Sequence, residues 1–542
     1  MLFRPYFAIP RKPRAMNKYT SLNNLLGLFL SLLIVGCQTG PKTLENVVLG
    51  EITTNVNPHG RAPLSAEMSF ATKEPCQVKM TVEGPNPVSR SFANFSRNHQ
   101  LPILGLYPDT TNTLSLELTT EGGQVYTGEV SIAPPVIPDF LPTVSIEKLE
   151  RDRMEPGMHL IDMLIANNGK FHAYTLMFDD TGTYRWMMDM SETGQITYTS
   201  YRLNNGNWLY LNWIDLIEVD DLGRIVTREQ LWGHAGNHEL IELSNGQLLM
   251  AGSKKDAMVL HRGQAFPSRF DHVVLWDRQQ NRAIKEWDMR DVFDVDRIVF
   301  PPDYTPDYQS DWFHINSVGQ DPADGGLIVS GRSQGVAKVG PDNELQWILA
   351  PHKNWGQAGP MGQGLSTTDY LLTAIDAAGN QLPTSVQSGA ESHSDFEWSY
   401  GQHAVQILPN SNVLLFDNGL QRNFTPGTSY SRAVEYAVDP GAKTIKQVWS
   451  YGKERGLELY SPITSDVDVL PETNNRLIIA GNVRASDRDP HAKLVEITYP
   501  DNEEVFEASV WFKDAKGSGQ NSWAQFDLVF RGERYNLIPS GK

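Results

Sequence analysis

The sequence predicts an all-β protein: a six-bladed β-propeller preceded by a small N-terminal β-sandwich domain. Three observations predict it. Beyond about residue 150 no long segment with the 3.6-residue period of a helix occurs. Six tight turns of Asn/Gly type recur there, and each is followed by at least one tryptophan before the next turn. Four-stranded units repeated in this way cannot bury both faces alone, so each needs a neighbour on either side, and six of them close a ring.

The chain has 542 residues, enough for one large domain and a small one. Hydrophobic residues make up 40%, which supplies a core. The net charge of −18 argues against nucleic acid as a partner, because phosphates demand a basic surface. A small anion then needs a local positive pocket, and its cations must be found.

Residues 1–36 read as a lipoprotein signal peptide. Arg4, Arg11, Lys12, Arg14 and Lys18 form a basic leader, and the apolar run from Leu25 to Val35 is too short to span a bilayer. It ends in Ile34-Val35-Gly36-Cys37, a lipobox-like stretch in which Cys37 is the lipidation site. With Gln38 next, the expected location is the periplasmic side of the envelope, lipid-anchored and sorted to the outer membrane. The one other cysteine is Cys76, so an acylated Cys37 leaves no intrachain disulfide.

Residues 37–60 read as a polar tether. Residues 61–135 read as the sandwich domain, because Val78-Lys79-Met80-Thr81-Val82 and Thr113-Leu114-Ser115-Leu116-Glu117-Leu118 alternate like half-buried strands. Ala133-Pro134-Pro135-Val136-Ile137-Pro138 is a stiff linker.

Residues 150–542 carry the six blades. Their first turns fall at Asn168-Gly169, Asn205-Gly206, Asn245-Gly246, Gly325-Gly326, Asn410-Ser411-Asn412 and Asn474-Asn475. Such residues tolerate the positive φ of short hairpin turns. The last strands are marked by Trp186, Trp232, Trp287, Trp347, Trp449 and Trp511. The tail from Gln525 to Phe530 is placed to return a strand to the first blade.

In a propeller the first strand of each blade lines the axis, so equivalent starts converge. The third blade begins at His238, five residues before Leu243, and the fifth at His403, five residues before Leu408. The fourth begins at His314. The second offers Tyr198, and the sixth offers Thr464 and Ser465. The chain has 13 histidines, and any single one reads as packing or surface; three in phase at one rim read as a site. Arg332, just past the second strand of the blade carrying His314, adds a fixed cation, against the simpler reading of a loop arginine.

Two chemistries suit such a set. Three imidazoles can hold an open zinc site. A guanidinium beside a dication is electrostatically awkward, however, and no His-Glu-x-x-His pattern occurs. Transfer of an anionic tetrahedral group fits better: arginine and imidazole donors suit its oxygens, and a neutral imidazole is a competent nucleophile.

At these residues the sequence resembles the bacterial arylsulfate sulfotransferases. The matching stretches are Asp311-Trp312-Phe313-His314-Ile315-Asn316-Ser317, Ser330-Gly331-Arg332-Ser333-Gln334-Gly335, Gly401-Gln402-His403, Ser431-Arg432-Ala433-Val434-Glu435-Tyr436 and Tyr451-Gly452-Lys453-Glu454-Arg455-Gly456. Gly105-Leu106-Tyr107-Pro108-Asp109-Thr110-Thr111-Asn112 resembles the N-terminal domain of that family. The resemblance implies ping-pong transfer of a sulfuryl group from a phenolic sulfate ester to an acceptor phenol through a sulfohistidine, with no cofactor or nucleotide sulfate. By it, His403 is the nucleophile, His314 and Arg332 grip the sulfuryl oxygens, and His238 does the same or serves as acid/base. Tyr198, Thr464, Tyr535 and Tyr107 match positions that line the substrate pocket. Relatives can pair, so the resemblance is compatible with a homodimer and leaves the oligomeric state open.

Two departures stand out. Well-known enterobacterial members carry a cysteine pair shortly before the nucleophile, whereas Ser388 to Gln402 contains no cysteine. Those members are soluble in the periplasm, whereas this chain reads as lipidated. Two other functions remain open on the sequence: a lipid-anchored envelope scaffold, and a metal-dependent hydrolase or lyase using the three histidines.

Overall fold

The computed structural model describes residues 42–167, 170–193, 199–297, 299–300, 309–359, 362–427, 429–483, 489–513 and 527–538. Cys37, Tyr198 and the Asn168-Gly169 turn lie outside them. Almost every regular element in the described residues is a strand.

The N-terminal strands Val48–Val56, Ser65–Val82, Val88–Leu104, Asn112–Thr120 and Val125–Ile132 join in one five-stranded sheet. The 18-residue strand Ser65–Val82 organises it. Its first half pairs with Val48–Val56 and its second half with Asn112–Thr120, while Val88–Leu104 runs along both. Register breaks near Cys76 let the strand bend, so that Met68, Phe70, Val78, Met80, Leu114 and Leu116 share one core. The stretch Val48–Val56 corrects part of the expected tether, since it is an edge strand. Most of its side chains are exposed or half-exposed, so it carries no clean alternation to read.

Past the linker, the described residues form six sheets of four or five strands. The second sheet runs Thr199–Arg202, Trp208–Asn212, Asp215–Val219 and Ile225–Gln230; the third runs His234–Glu242, Leu248–Lys254, His272–Asp277 and Arg282–Asp288. The fourth is Ile315–Gln320, Leu327–Gly331, Gly335–Val339 and Leu345–Leu349. The fifth is His403–Ile407, Val413–Asp417, Arg432–Asp439 and Thr444–Tyr451, with Thr373–Ala374 added outside in parallel. The ladders of these successive strands are antiparallel, as short hairpin turns require.

The remaining two sheets exchange the ends of the chain. In the first, Leu528–Tyr535 pairs with Met158–Asn167, followed by Lys170–Phe178 and Tyr184–Asp189. The tail thus supplies the innermost strand, as expected from its sequence. In the sixth, Asp466–Val469, Arg476–Val483, His491–Ile497 and Glu504–Trp511 are completed on the outside by Thr143–Leu149.

Apolar clusters fill the space between neighbouring sheets. Leu160, Met177 and Trp186 of the first meet Trp208 and Tyr210 of the second. Leu209 and Leu211 meet Leu240 and Leu248, and Leu249 and Val273 meet Ile315 and Val329. Ile328 and Val336 meet Leu415 and Val434, Leu414 and Phe416 meet Val467 and Ile478, and Leu477 and Ile479 meet Ile161 and Leu176. The last contact brings the sixth sheet back onto the first. Each fully buried aliphatic side chain contributes about 1.5–3 kcal/mol, so the interfaces dominate stability.

The tryptophan phase has a physical reason. Trp186 Nε1 donates to Asp221 O at 3.0 Å, Trp287 Nε1 to Gly340 O at 3.1 Å and Trp449 Nε1 to Asn502 Oδ1 at 2.7 Å. In each case the last strand of one sheet staples the turn between the third and fourth strands of the next. Trp232 departs from this expectation: it lies just past Ile225–Gln230 and is 65% exposed.

Candidate active site

The axial face is built by a repeated irregularity. His238, His314 and Thr464 have φ of 57°, 56° and 54°, and Ala404, next to His403, has 53°. The register slips at the same places, between Gly236 and Leu240, Ile315 and Ser317, and His403 and Gln406. A left-handed residue in a strand start costs about 1–3 kcal/mol and bends the strand. Here the bends bring three histidines toward one another: His403 opens its strand and His314 directly precedes one, whereas His238 lies inside His234–Glu242, a strand that begins four residues before the expected start. The loops from second to third strands return to this same face, and they carry Arg332 and Asn418.

His403 is buried and locked in one tautomer. Its Nδ1 faces Asn418 Oδ1 at 2.8 Å and Gly401 O at 3.0 Å. The Asn418 amide cannot be the other way round, because its Nδ2 donates to Ser461 O at 2.8 Å and Thr464 O at 2.9 Å. Two acceptors around Nδ1 place the hydrogen there and leave the lone pair on Nε2. Burial first, then the Arg332 charge and His314, push His403 down to about 3, so the ring is neutral near pH 7.

His314 Nδ1 stands 2.6 Å from Asp311 Oδ2. Its ring lies 5.3 Å from that of His238, centroid to centroid. Enclosure, and then His314, His403 and Arg332, hold His238 well below the usual imidazole range. Burial brings Arg332 down to about 10, with Asp311 and Tyr460 pulling the other way, so its guanidinium stays charged. Arg332 is 4% exposed and its Nε has no hydrogen-bond partner among the described residues. Asn316 Oδ1, Ser333 Oγ and Asp311 Oδ1 are also buried without one. Buried orphan donors and acceptors around a cation mark a seat for a polar ligand.

A cavity of about 510 Å³ adjoins this group through His238, His403 and Asn316. It is lined by His238, His403, Asn316, Thr464 and Phe530, and by the charged residues Glu239, Asp466, Asp468, Glu533 and Arg531. Burial pushes Glu239 up to about 7, and burial with Glu533 pushes Asp468 up to about 7. The two imidazoles that line the cavity are neutral, the acidic groups stand beside them, and the fixed cation next to the histidines is Arg332.

The structure brings His403, His314, Arg332, His238 and Thr464 together. Thr464 contributes its carbonyl to Asn418. Thr199, next to Tyr198, lines the cavity, and its hydroxyl donates to His238 O. Tyr107 and Tyr535 are not brought to the histidines. The Tyr107 hydroxyl accepts from Asn86 N at 2.9 Å and donates to Asn86 O at 3.0 Å, under the Arg185 guanidinium. Tyr535 packs edge-on against Trp208 at the far end of its strand. Among the described residues, no group of three or more histidine, cysteine or acidic side chains is arranged to hold a metal ion.

Sequence reasoning missed Asn418, Asp311 and Asn316. Asn418 had a signal: it follows the second strand of the fifth sheet directly, as Arg332 follows that of the fourth. Asp311 and Asn316 both stand in the stretch around His314.

A family model described as Arylsulfotransferase (ASST) matches residues 143–518, and one described as Arylsulfotransferase Ig-like domain matches residues 53–134. The chain is 26% identical to "Arylsulfate sulfotransferase AssT" of Escherichia coli O6:H1 over 547 residues, covering 84% of this chain and 89% of that protein. It is 25% identical to "Arylsulfate sulfotransferase AssT" of Lelliottia amnigena over 558 residues, covering 85% and 88%. Among solved structures, the soluble aldose sugar dehydrogenase of Escherichia coli is similar over 85% of this chain and 100% of its own, at 11% identity and a TM-score of 0.24.

Proposed function

Because this chain belongs to the arylsulfotransferase family, we propose that it transfers a sulfuryl group from a phenolic sulfate ester to a phenol in two steps, through a covalent intermediate on His403. In the first step the Nε2 lone pair attacks sulfur, the N–S bond forms, and the bond from sulfur to the aryl oxygen breaks. The electron pair leaves on the phenolic oxygen, which takes a proton. In the second step an acceptor phenol gives up its proton and attacks sulfur, and the N–S pair returns to Nε2.

One observation carries the reading: His403 presents an unprotonated Nε2 because two acceptors hold its Nδ1 hydrogen. The charge of the transition state is spread on the sulfuryl oxygens, as in phosphoryl transfer, and a desolvated Arg332 with a free Nε–H suits them. His238 and Thr464 border the same space.

The test is intact-mass analysis after mixing the protein with 4-nitrophenyl sulfate and no acceptor. The expected result is one added sulfuryl group on the peptide holding His403, absent in His403→Ala. Turnover that survives His403→Ala ends the proposal.

The location is part of the same proposal. The stretch Ile34-Val35-Gly36-Cys37 supports acylation of Cys37 and anchoring on the periplasmic side of the envelope, in the outer membrane by the Gln38 that follows. Fatty-acid labelling that is unchanged by Cys37→Ser would remove that part alone.

A further inference from the structure

We propose that Asp311 and His314 form the acid–base pair that serves the phenolic oxygen, with His314 exchanging the proton and Asp311 acting as a positioning residue. The assignment rests on the reading of His403 as the nucleophile.

The three imidazoles occupy three different settings. His403 has its Nδ1 hydrogen committed and must keep Nε2 bare to attack. His238 is surrounded by His314, His403 and Arg332, each of which opposes a positive charge on it. His314 has a carboxylate on its Nδ1, at 2.6 Å. That carboxylate compensates an imidazolium and fixes which nitrogen points away. With the Nδ1 hydrogen held by Asp311, Nε2 is the atom that gains and loses a proton.

The pair is held rigidly. Asp311 and His314 lie three residues apart on one segment, and Trp312 Nε1 donates to Asp271 Oδ2 at 3.0 Å between them. The His314 carbonyl accepts from Arg332 N at 3.0 Å, and Ile315 N donates to Phe270 O at 2.8 Å. The groups that face His314 are Asp311 on its own segment, His238 from the third sheet, Arg332 from the adjoining loop and His403 from the fifth. The Phe270 ring stands edge-on at 6.0 Å. His314 itself is half-buried, and its ring stands 5.3 Å from that of His238, which lines the cavity.

The step balances. A donor monoanion, neutral His403 and protonated His314 become a neutral phenol, a sulfurylated His403 whose ring charge cancels that of its sulfo group, and neutral His314. In the return half, His314 Nε2 takes the proton of the acceptor phenol as its oxygen bonds to sulfur.

The experiment compares Asp311→Asn and Asp311→Glu with the unaltered full-length protein on two donors. Unsubstituted phenyl sulfate releases a poor leaving group that needs the proton; 4-nitrophenyl sulfate releases a good one that does not. Asp311→Asn is expected to lose about 100-fold in kcat/KM on phenyl sulfate and only about 5-fold on 4-nitrophenyl sulfate. Asp311→Glu recovers part of the phenyl sulfate rate. The nitrophenyl rate also reports that the variant is folded. Equal losses on both donors overturn the assignment. If the unaltered protein forms no adduct on His403, the underlying reading falls and this one with it; if the adduct forms and the losses are equal, only this one falls.

Discussion

The side-chain oxygen of Asn418 stands 2.8 Å from His403 Nδ1, and the Asn418 amide nitrogen is tied to two backbone carbonyls. Asn418 thereby selects the tautomer in which Nε2 can attack, without touching the substrate seat. Removing the tie in Asn418→Ala leaves Gly401 O as the one remaining acceptor. The expected loss in kcat is about 10–100-fold, with KM changed little. Steady-state kinetics with 4-nitrophenyl sulfate check it, and an unchanged kcat would remove Asn418 from the machinery.

The low value at His403 has a sign that can be measured twice. Because it stays neutral down to about 3, its protonation does not slow attack on 4-nitrophenyl sulfate between pH 8 and pH 5. In the unfolded chain the same ring takes up a proton near 6.5. Its contribution to stability is thus complete above pH 6.5 and is lost progressively as pH falls toward 3. His403→Gln is expected to lose less stability than the unaltered protein over that window, as read by denaturant midpoints. Identical acid profiles would show that burial of this ring is not what acid attacks.

Arg332 and lysine are not equivalent here. The guanidinium is buried, keeps its charge and offers a planar set of N–H groups to an anion. Arg332→Lys retains a charge but loses the fork, and burial drives a lysine toward neutrality. The expected cost is about 100-fold in kcat/KM for any aryl sulfate, close to that of Arg332→Ala. A lysine variant within a few-fold of the unaltered protein would make Arg332 a plain counter-charge.

The histidines were legible in the sequence because each stands ahead of a hairpin turn whose residues announce themselves, although the strand carrying His238 already begins at His234. His238 and His403 stand at the same distance from their turns; His314 needed only a longer turn. The phase says nothing about side-chain partners, so Asn418 and Asp311 stayed hidden although both stand beside residues already picked out. Trp232 misled because an exposed aromatic just past a strand reads the same as one inside it. Val48–Val56 was hidden by its exposure at a sheet edge.

Tyr107 and Tyr535 were chosen on resemblance alone, and their surroundings argue for structure. The Tyr107 hydroxyl closes two hydrogen bonds with the Asn86 backbone, and the Arg185 guanidinium lies 3.7 Å over its ring. Arg185 also reaches Gly105 O and Asp179, so this knot joins the N-terminal domain to the first sheet. Tyr107→Phe is expected to cost about 1–2 kcal/mol of stability and leave KM unchanged. A raised KM with an unchanged melting temperature would return Tyr107 to the substrate pocket.

The segment that carries His314 depends on a buried charge cluster behind it. His272 Nδ1 stands 2.7 Å from Asp271 Oδ1, and Nε2 stands 3.5 Å from Asp288 Oδ2. Burial opposes its charge, but hydrogen bonds and attraction from both carboxylates push it up to about 9. The unfolded ring titrates near 6.5. The stabilisation is therefore fully present below pH 6.5 and is lost as pH rises through 9, when the native state surrenders a proton the unfolded state no longer holds. Asp271 also accepts from Trp312 Nε1, two residues before His314, so loss of the charge loosens the segment that holds the acid–base pair. Between pH 6.5 and 9.5 the melting temperature should fall by several degrees, and by less in His272→Gln, which has no proton to lose. A variant whose melting temperature drops as steeply as that of the unaltered protein would place the alkaline weakness elsewhere.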